Sequence, residues 1–197
     1  MGVALISRVD ALIARGGRFA PHWGWHDDHR ATDGTPEYRP ALQQVRGEYA
    51  EFLRVVAEHI SLGVGAACLQ LGLGETDASH QAWCEVFDRV VTVDWGSVRV
   101  TYQSPNRVDW VRPGCDISSV DGIWEANSSA PYDLLFIDAG HSAEDARRDR
   151  ENYGPMVRPG GIIAWHDALR RPGFEDAVQV WRYLEEAREP VHVIGDE

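Results

Sequence analysis

The chain has 197 residues, 44% of them apolar and 25% charged. This is ordinary globular usage, which excludes disordered and collagen-like architectures and suits one domain with an added lobe. A net charge of −12 repels phosphate backbones and argues against a nucleic-acid partner.

No apolar run approaches the roughly 20 residues that a bilayer span requires, so no membrane partner is expected. Arg8 and Asp10 interrupt the N-terminal stretch, which therefore does not read as a secretory signal. Cys68, Cys84 and Cys115 are odd in number and lack CxxC spacing, the pattern of a reduced, cytoplasmic protein.

In chain order, Val3, Leu5, Ile6, Val9, Leu12 and Ile13 predict a short helix ending at Gly16-Gly17. Residues 18–37 are punctuated by Pro21, Gly24, Gly34 and Pro36 and read as irregular. They hold HWGWHDDH, with His22, His26 and His29 beside Asp27 and Asp28. A substrate-facing lid, with Trp23 and Trp25 as aromatic walls, is one reading; a surface loop and a metal site are the others. Residues 1–37 are accordingly expected to form an N-terminal helix and lid segment, and residues 38–197 the main domain.

From Pro40 onward, Leu42, Val45, Tyr49, Phe52, Leu53, Val56 and Ile60 fall three and four apart, one face of a long amphipathic helix. The pattern then changes to short apolar runs, Ala66–Leu71, Val90–Val93, Tyr132–Ile137 and Ile162–Trp165. Each has the length and composition of a strand buried on both faces. Helical patterns separate them: Ala82 to Phe87, Ile117 to Trp124, and later Phe174 to Leu184. This alternation predicts an α/β fold, a Rossmann-like doubly wound, mostly parallel sheet with helices on both faces. Ligands of such sheets bind beyond the carboxyl ends of the strands, here Gly72, Asp94, Asp138 and His166-Asp167.

Gly72 and Gly74 follow the first run and allow a tight turn and close approach of backbone to a ligand. Asp94 closes the second run, where a carboxylate can accept both hydroxyls of a ribose. The bland alternative is an ordinary strand-to-helix turn with a solvated acid. Charge selects among nucleoside cofactors: Glu75 and Asp77 in the same turn would repel a pyrophosphate, whereas they tolerate the cationic, phosphate-free S-adenosylmethionine. Trp95 suits an adenine face or an ordinary core position equally.

Asp138 and Asp167 end neighbouring strands, close enough to meet around one ion. Two carboxylates in one cleft require a proton or a cation between them, and Mg2+ or another hard divalent ion is the expected answer. His166 precedes Asp167 as a further candidate ligand. His141 lies three residues past Asp138, where it can take a proton from a substrate hydroxyl. Ser142 and Asp145 match a capping-box-like helix start. Asp149, two turns further on, is expected to support the fold or to position Arg148.

At Asp138-Ala139-Gly140-His141, Asp149, Pro159-Gly160-Gly161 and His166-Asp167 the sequence resembles class I S-adenosylmethionine-dependent methyltransferases, and within them a small metal-dependent O-methyltransferase-like group. The resemblance spans roughly residues 45–194 and is strongest over 132–167. It implies a methyl donor held by Gly72, Gly74, Glu75, Asp94, Trp95, Asp116 and Asp138, with Asp116 near the adenine amino group. It also implies a metal at Asp138, Asp167 and His166, and catalysis by His141 and Asp138. The implied acceptor is a hydroxyl of a sugar, phenol or other natural product.

Three departures stand out. Gln70 occupies the position usually acidic before the turn, Thr76 replaces a small residue, and the C-terminal VHVIGDE stops after one arm of an expected antiparallel hairpin. The last departure leaves three readings: a partner subunit covering the edge in a homo-oligomer, a shortened chain, or a dispensable strand. Two competing functions share the motifs, a non-catalytic S-adenosylmethionine-binding module and another metal-dependent enzyme on the same fold.

Overall fold

The computed structural model describes residues 3–14, 24–25, 41–42, 46–60, 65–73, 78–94, 108–112, 123, 126–168, 178–188 and 193–194. Its elements are α1 (Val3–Ala14), β1 (Gly24–Trp25), β2 (Ala41–Leu42), α2 (Arg46–His59), β3 (Ala67–Leu71), α3 (Ala78–Val86), β4 (Arg89–Val93), β5 (Val108–Arg112), β6 (Tyr132–Ile137), α4 (Ala143–Tyr153), β7 (Val157–Trp165) and α5 (Val178–Ala187).

Five strands pair in the order β5-β4-β3-β6-β7, and all four pairings are parallel. The chain leaves β3 toward β4 and β5, then crosses back to place β6 and β7 on the other side. The strand order therefore reverses between β3 and β6, the point at which open α/β sheets present a crevice.

The two residue parities of each strand feed two cores. On one face Cys68, Val90, Leu134 and Phe136 pack with Tyr49, Leu53 and Val56 of α2, Trp83 and Val86 of α3, and Val9 and Leu12 of α1. On the other, Leu69, Leu71, Val91, Val93, Leu135 and Ile137 pack with Ala126, Tyr153 and Met156. A smaller cluster of Ala146, Val180, Tyr183 and Leu184 joins α4 to α5. Apolar residues on both parities explain the mostly apolar runs of β3 and β6, since helices cover both faces.

Three expectations change. The long helix begins at Arg46, and Leu42 lies instead in β2, which pairs in parallel with β1. Leu42 still reaches the core, so its apolar character reflects burial and not helical periodicity. Strand β5 was not expected: its alternation of Val108, Asp109, Trp110, Val111 and Arg112 lacks the continuous apolar run of the other four, and it pairs with β4 alone among the described strands. Of the helix expected over Ile117–Trp124, Ile123 and residues 126–128 are helical, while Ile117, Val120 and Trp124 lie outside the described residues. So do Cys115, most of the histidine-rich segment and most of the C-terminal VHVIGDE.

No helix among the described residues is long and apolar enough to cross a membrane.

Candidate functional site

The strand ends are tied together by backbone hydrogen bonds that run one residue past the ladder. Gly72 N–H donates to Val93 O at 2.9 Å, Asp138 N–H to Leu71 O at 2.8 Å, and His166 N–H to Ile137 O at 2.9 Å. These bonds set Gly72, Asp138 and His166 side by side along the carboxyl edge of the sheet.

Gly72 has φ +86°, and a Cβ there would collide with the carbonyl oxygen of Asp138. The glycine is thus required by the approach of the neighbouring strand end, a different reason from the ligand clearance that the sequence suggested. Next to it, Leu73 N–H donates to Asp94 Oδ2 at 2.7 Å, and Asp94 is buried. Gly74, Glu75, Trp95 and Asp116, expected around the same cofactor, lie outside the described residues.

At the ends of β6 and β7 the register pairs Ile137 with Trp165, so the residues that follow are neighbours. Asp167 adopts φ 50°, a left-handed conformation that its short polar side chain tolerates better than most. His166 Nδ1 lies 3.2 Å from both Asp138 Oδ1 and Asp167 Oδ2. Burial by itself would lower the His166 pKa; the hydrogen bonds and negative charge of Asp138 and Asp167 outweigh it and push it up to about 10. The imidazole also rests against Phe136, with ring centroids 6.1 Å apart.

His141 reaches the same place from the loop before α4. Asp138, His141 and Asp167 each offer a ligand atom, and these atoms all lie within 4.8 Å of one another. Two carboxylates and an imidazole suit a divalent cation, with hard oxygen donors favouring Mg2+. The expected set named His166 with the two acids. The geometry instead gathers His141 with them and gives His166 a hydrogen bond to each acid. The loop is held by Ser142, which caps α4: Asp145 N–H donates to Ser142 Oγ at 3.0 Å and Ser142 Oγ donates to Asp145 Oδ2 at 2.6 Å. Asp149 is fully buried on α4, with Arg148 Nε 3.5 Å from Oδ1, and it is not in the metal-binding group.

The roles of two residues near the site were not evident from the sequence. Gln70, the departure from the acidic pattern, is completely buried; its Nε2 donates to Gly72 O and to Ser79 Oγ, each at 2.7 Å. Its Oε1 is buried with no hydrogen-bond partner among the described residues. An amide inside the apolar run ACLQL is itself the missed signal, because a buried amide requires partners. Tyr49 of α2 is also buried, and burial together with Cys68 and Asp138 holds its phenol well above the usual range.

Comparison with known proteins agrees with this fold. Residues 21–168 match a family model described as a methyltransferase domain. No curated protein sequence matches the chain. Among solved structures, the MycE methyltransferase from the mycinamycin biosynthetic pathway in complex with Mg and SAH is 18% identical with TM-score 0.51, covering 68% of this chain and 37% of that one. The same enzyme in complex with Mg, SAH and mycinamycin VI is 16% identical with TM-score 0.50, covering 70% of this chain and 40% of that one. The present chain therefore spans well under half the length of these structures, and the likeness is one of fold. With a family match over most of its length and a parallel sheet reversing at β3, the chain belongs to the methyltransferase domain family and has a Rossmann-like class I methyltransferase fold.

Proposed function

We propose that the protein is an S-adenosylmethionine-dependent O-methyltransferase, assisted by Mg2+ or a similar ion, that acts on a hydroxyl of a small molecule of the sugar, phenol or natural-product kind. The observation that carries this reading is the convergence of Asp138, His141 and Asp167 within 4.8 Å, on the strand end that packs directly against Gly72. The natural-product acceptor is supported by the structural likeness to a methyltransferase from the mycinamycin biosynthetic pathway in complex with Mg, SAH and mycinamycin VI.

Bound S-adenosylmethionine supplies an electrophilic methyl group, and a bound divalent ion supplies positive charge that lowers the pKa of a hydroxyl. Asp138 and Asp167 hold that charge at the end of the sheet. His166, hydrogen-bonded to both, orients their oxygens. His141, with a ring nitrogen within 4.8 Å of the acids' oxygens, is the base for the acceptor's proton, while Asp138 and Asp167 alone hold the ion. The turn at Gly72 and Leu73, tied to Asp94, forms the floor on the donor side, and the Asp94 carboxylate takes the ribose hydroxyls. Removal of residues 18–36 is expected to depress turnover more than donor affinity.

Transfer of labelled methyl groups to a panel of hydroxyl acceptors, with and without EDTA, tests this directly. Turnover that EDTA abolishes and Mg2+ restores is expected. Full turnover in EDTA would remove the metal from the account. Donor binding with no transfer to any acceptor would favour a binding module, and metal-dependent turnover without the donor a different enzyme. His141→Gln should cut turnover with little change in ion affinity; an equal loss of both would make His141 a ligand.

A further inference from the structure

Gln70 and Asp94 act on one peptide unit. The Gly72 carbonyl receives the Gln70 amide N–H at 2.7 Å, and the Leu73 N–H of the same peptide plane donates to Asp94 Oδ2 at 2.7 Å. A carbonyl oxygen only accepts, so the Gln70 atom facing it has to be nitrogen. That nitrogen also reaches Ser79 Oγ in the first turn of α3, linking the turn to the following helix. Gly72 has little latitude of its own, with φ +86°, its N–H on Val93 O and the Asp138 carbonyl where a Cβ would stand. Gln70 and Asp94 are both buried, so water does not compete for these bonds.

We propose that Gln70 is a positioning residue that clamps the Gly72–Leu73 peptide against Asp94 and so fixes the orientation of the glycine turn, and that an acid at this position would undo the clamp. An ionised glutamate would turn an oxygen, which cannot donate, toward the Gly72 carbonyl. A protonated glutamate has one O–H, which can restore that bond, while its oxygens can accept from the Ser79 hydroxyl. The binding consequence rests on the methyl-donor reading above; the effect on the ligand-free turn does not.

The test compares Gln70→Glu with Gln70→Met, which keeps the length of the side chain and loses donation at every pH. S-adenosylhomocysteine affinity is measured by calorimetry, and the ligand-free thermal midpoint is followed, from pH 8.5 down to 5.5. At pH 8.5 both variants should bind about tenfold to a hundredfold more weakly than wild type, the range for leaving a buried acceptor unsatisfied. On acidification Gln70→Glu should regain most of that loss while Gln70→Met stays flat. The thermal midpoints follow the same sign. A buried glutamate that donates only when protonated has a raised folded-state pKa, so its deficit relative to wild type is smallest at low pH and grows as pH rises. Wild-type behaviour of Gln70→Glu at pH 8.5, or equal and pH-independent losses in both variants, would overturn the clamp. If the wild-type protein binds no S-adenosylhomocysteine, the methyl-donor reading fails, and the ligand-free midpoints still decide the clamp.

Discussion

The two ends of the sheet carry the same residue type in opposite employment. At the amino end, Asp133 accepts the Ala67 N–H at 2.7 Å and pairs with Arg158, while Asp88 accepts the Gly65 N–H at 2.8 Å and pairs with Arg8 at 2.8 Å. At the carboxyl end, Asp138 and Asp167 share the His166 imidazole and converge with His141. A carboxylate shared between a guanidinium and a backbone N–H has its charge committed to holding strands and loops in register. Carboxylates gathered around an imidazole hold their charge where a cation can take the place of a proton. Function follows from the partner and not from the acid.

Substitutions at the two ends should separate binding from stability. The largest effect is expected at the carboxyl end: Asp138→Asn and Asp167→Asn should each weaken Mg2+ binding by at least the roughly tenfold to hundredfold seen for groups that merely support metal ligands. S-adenosylhomocysteine affinity should stay within a few-fold. Ion titration by calorimetry checks this, and unchanged ion affinity in either variant would break the comparison.

A smaller effect of the other kind is expected from Asp133→Ala. It orphans the buried Ala67 N–H and should lower stability by about 2 kcal/mol in denaturant unfolding, with ion affinity unchanged. The Arg158 pair adds little to that figure because the arginine is partly exposed. A loss of ion affinity without loss of stability would show that the two ends are not distinct.

The subtlest expectation concerns His166. Its pKa is raised to about 10, so at neutral pH the ring carries a proton that is favoured by the two carboxylates. A cation taking up the same negative charge competes with that proton. Ion affinity should therefore rise with pH, by at most about tenfold per unit below the raised value, and binding near pH 7.5 should release up to about one proton per ion. Calorimetry in buffers of different ionisation enthalpy measures the release, and His166→Gln should abolish it. Binding without proton release in the wild-type protein would separate His166 from the ion.

Much of this molecule was legible in its residues. The runs 66–71, 90–93, 132–137 and 162–165 fall on strands β3, β4, β6 and β7, α4 starts at the Ser142 cap, and the acids expected at strand ends are there. These features depend on short-range periodicity and capping chemistry, which a sequence displays directly. The strand β5 was not legible, because its alternating pattern is also that of a loop with scattered apolar residues.

The employment of each polar side chain was decided only by the tertiary structure. Within the single run YDLLFID, Asp133 and Asp138 are the same residue type and only the position of Asp138 at the end of the run set it apart, while the bonds of one to Ala67 and Arg158 and of the other to His166 come from the fold. Gln70 looked like the loss of a charge and is a donor to the turn that follows it. The physical reason is distance along the chain: Asp133 meets Ala67 across 66 positions, Asp138 meets His166 across 28 and Leu73 meets Asp94 across 21. Local patterning sets where strands and helices form, but a carboxylate's partner is chosen by the order in which strands assemble, and that order exists only in the folded sheet.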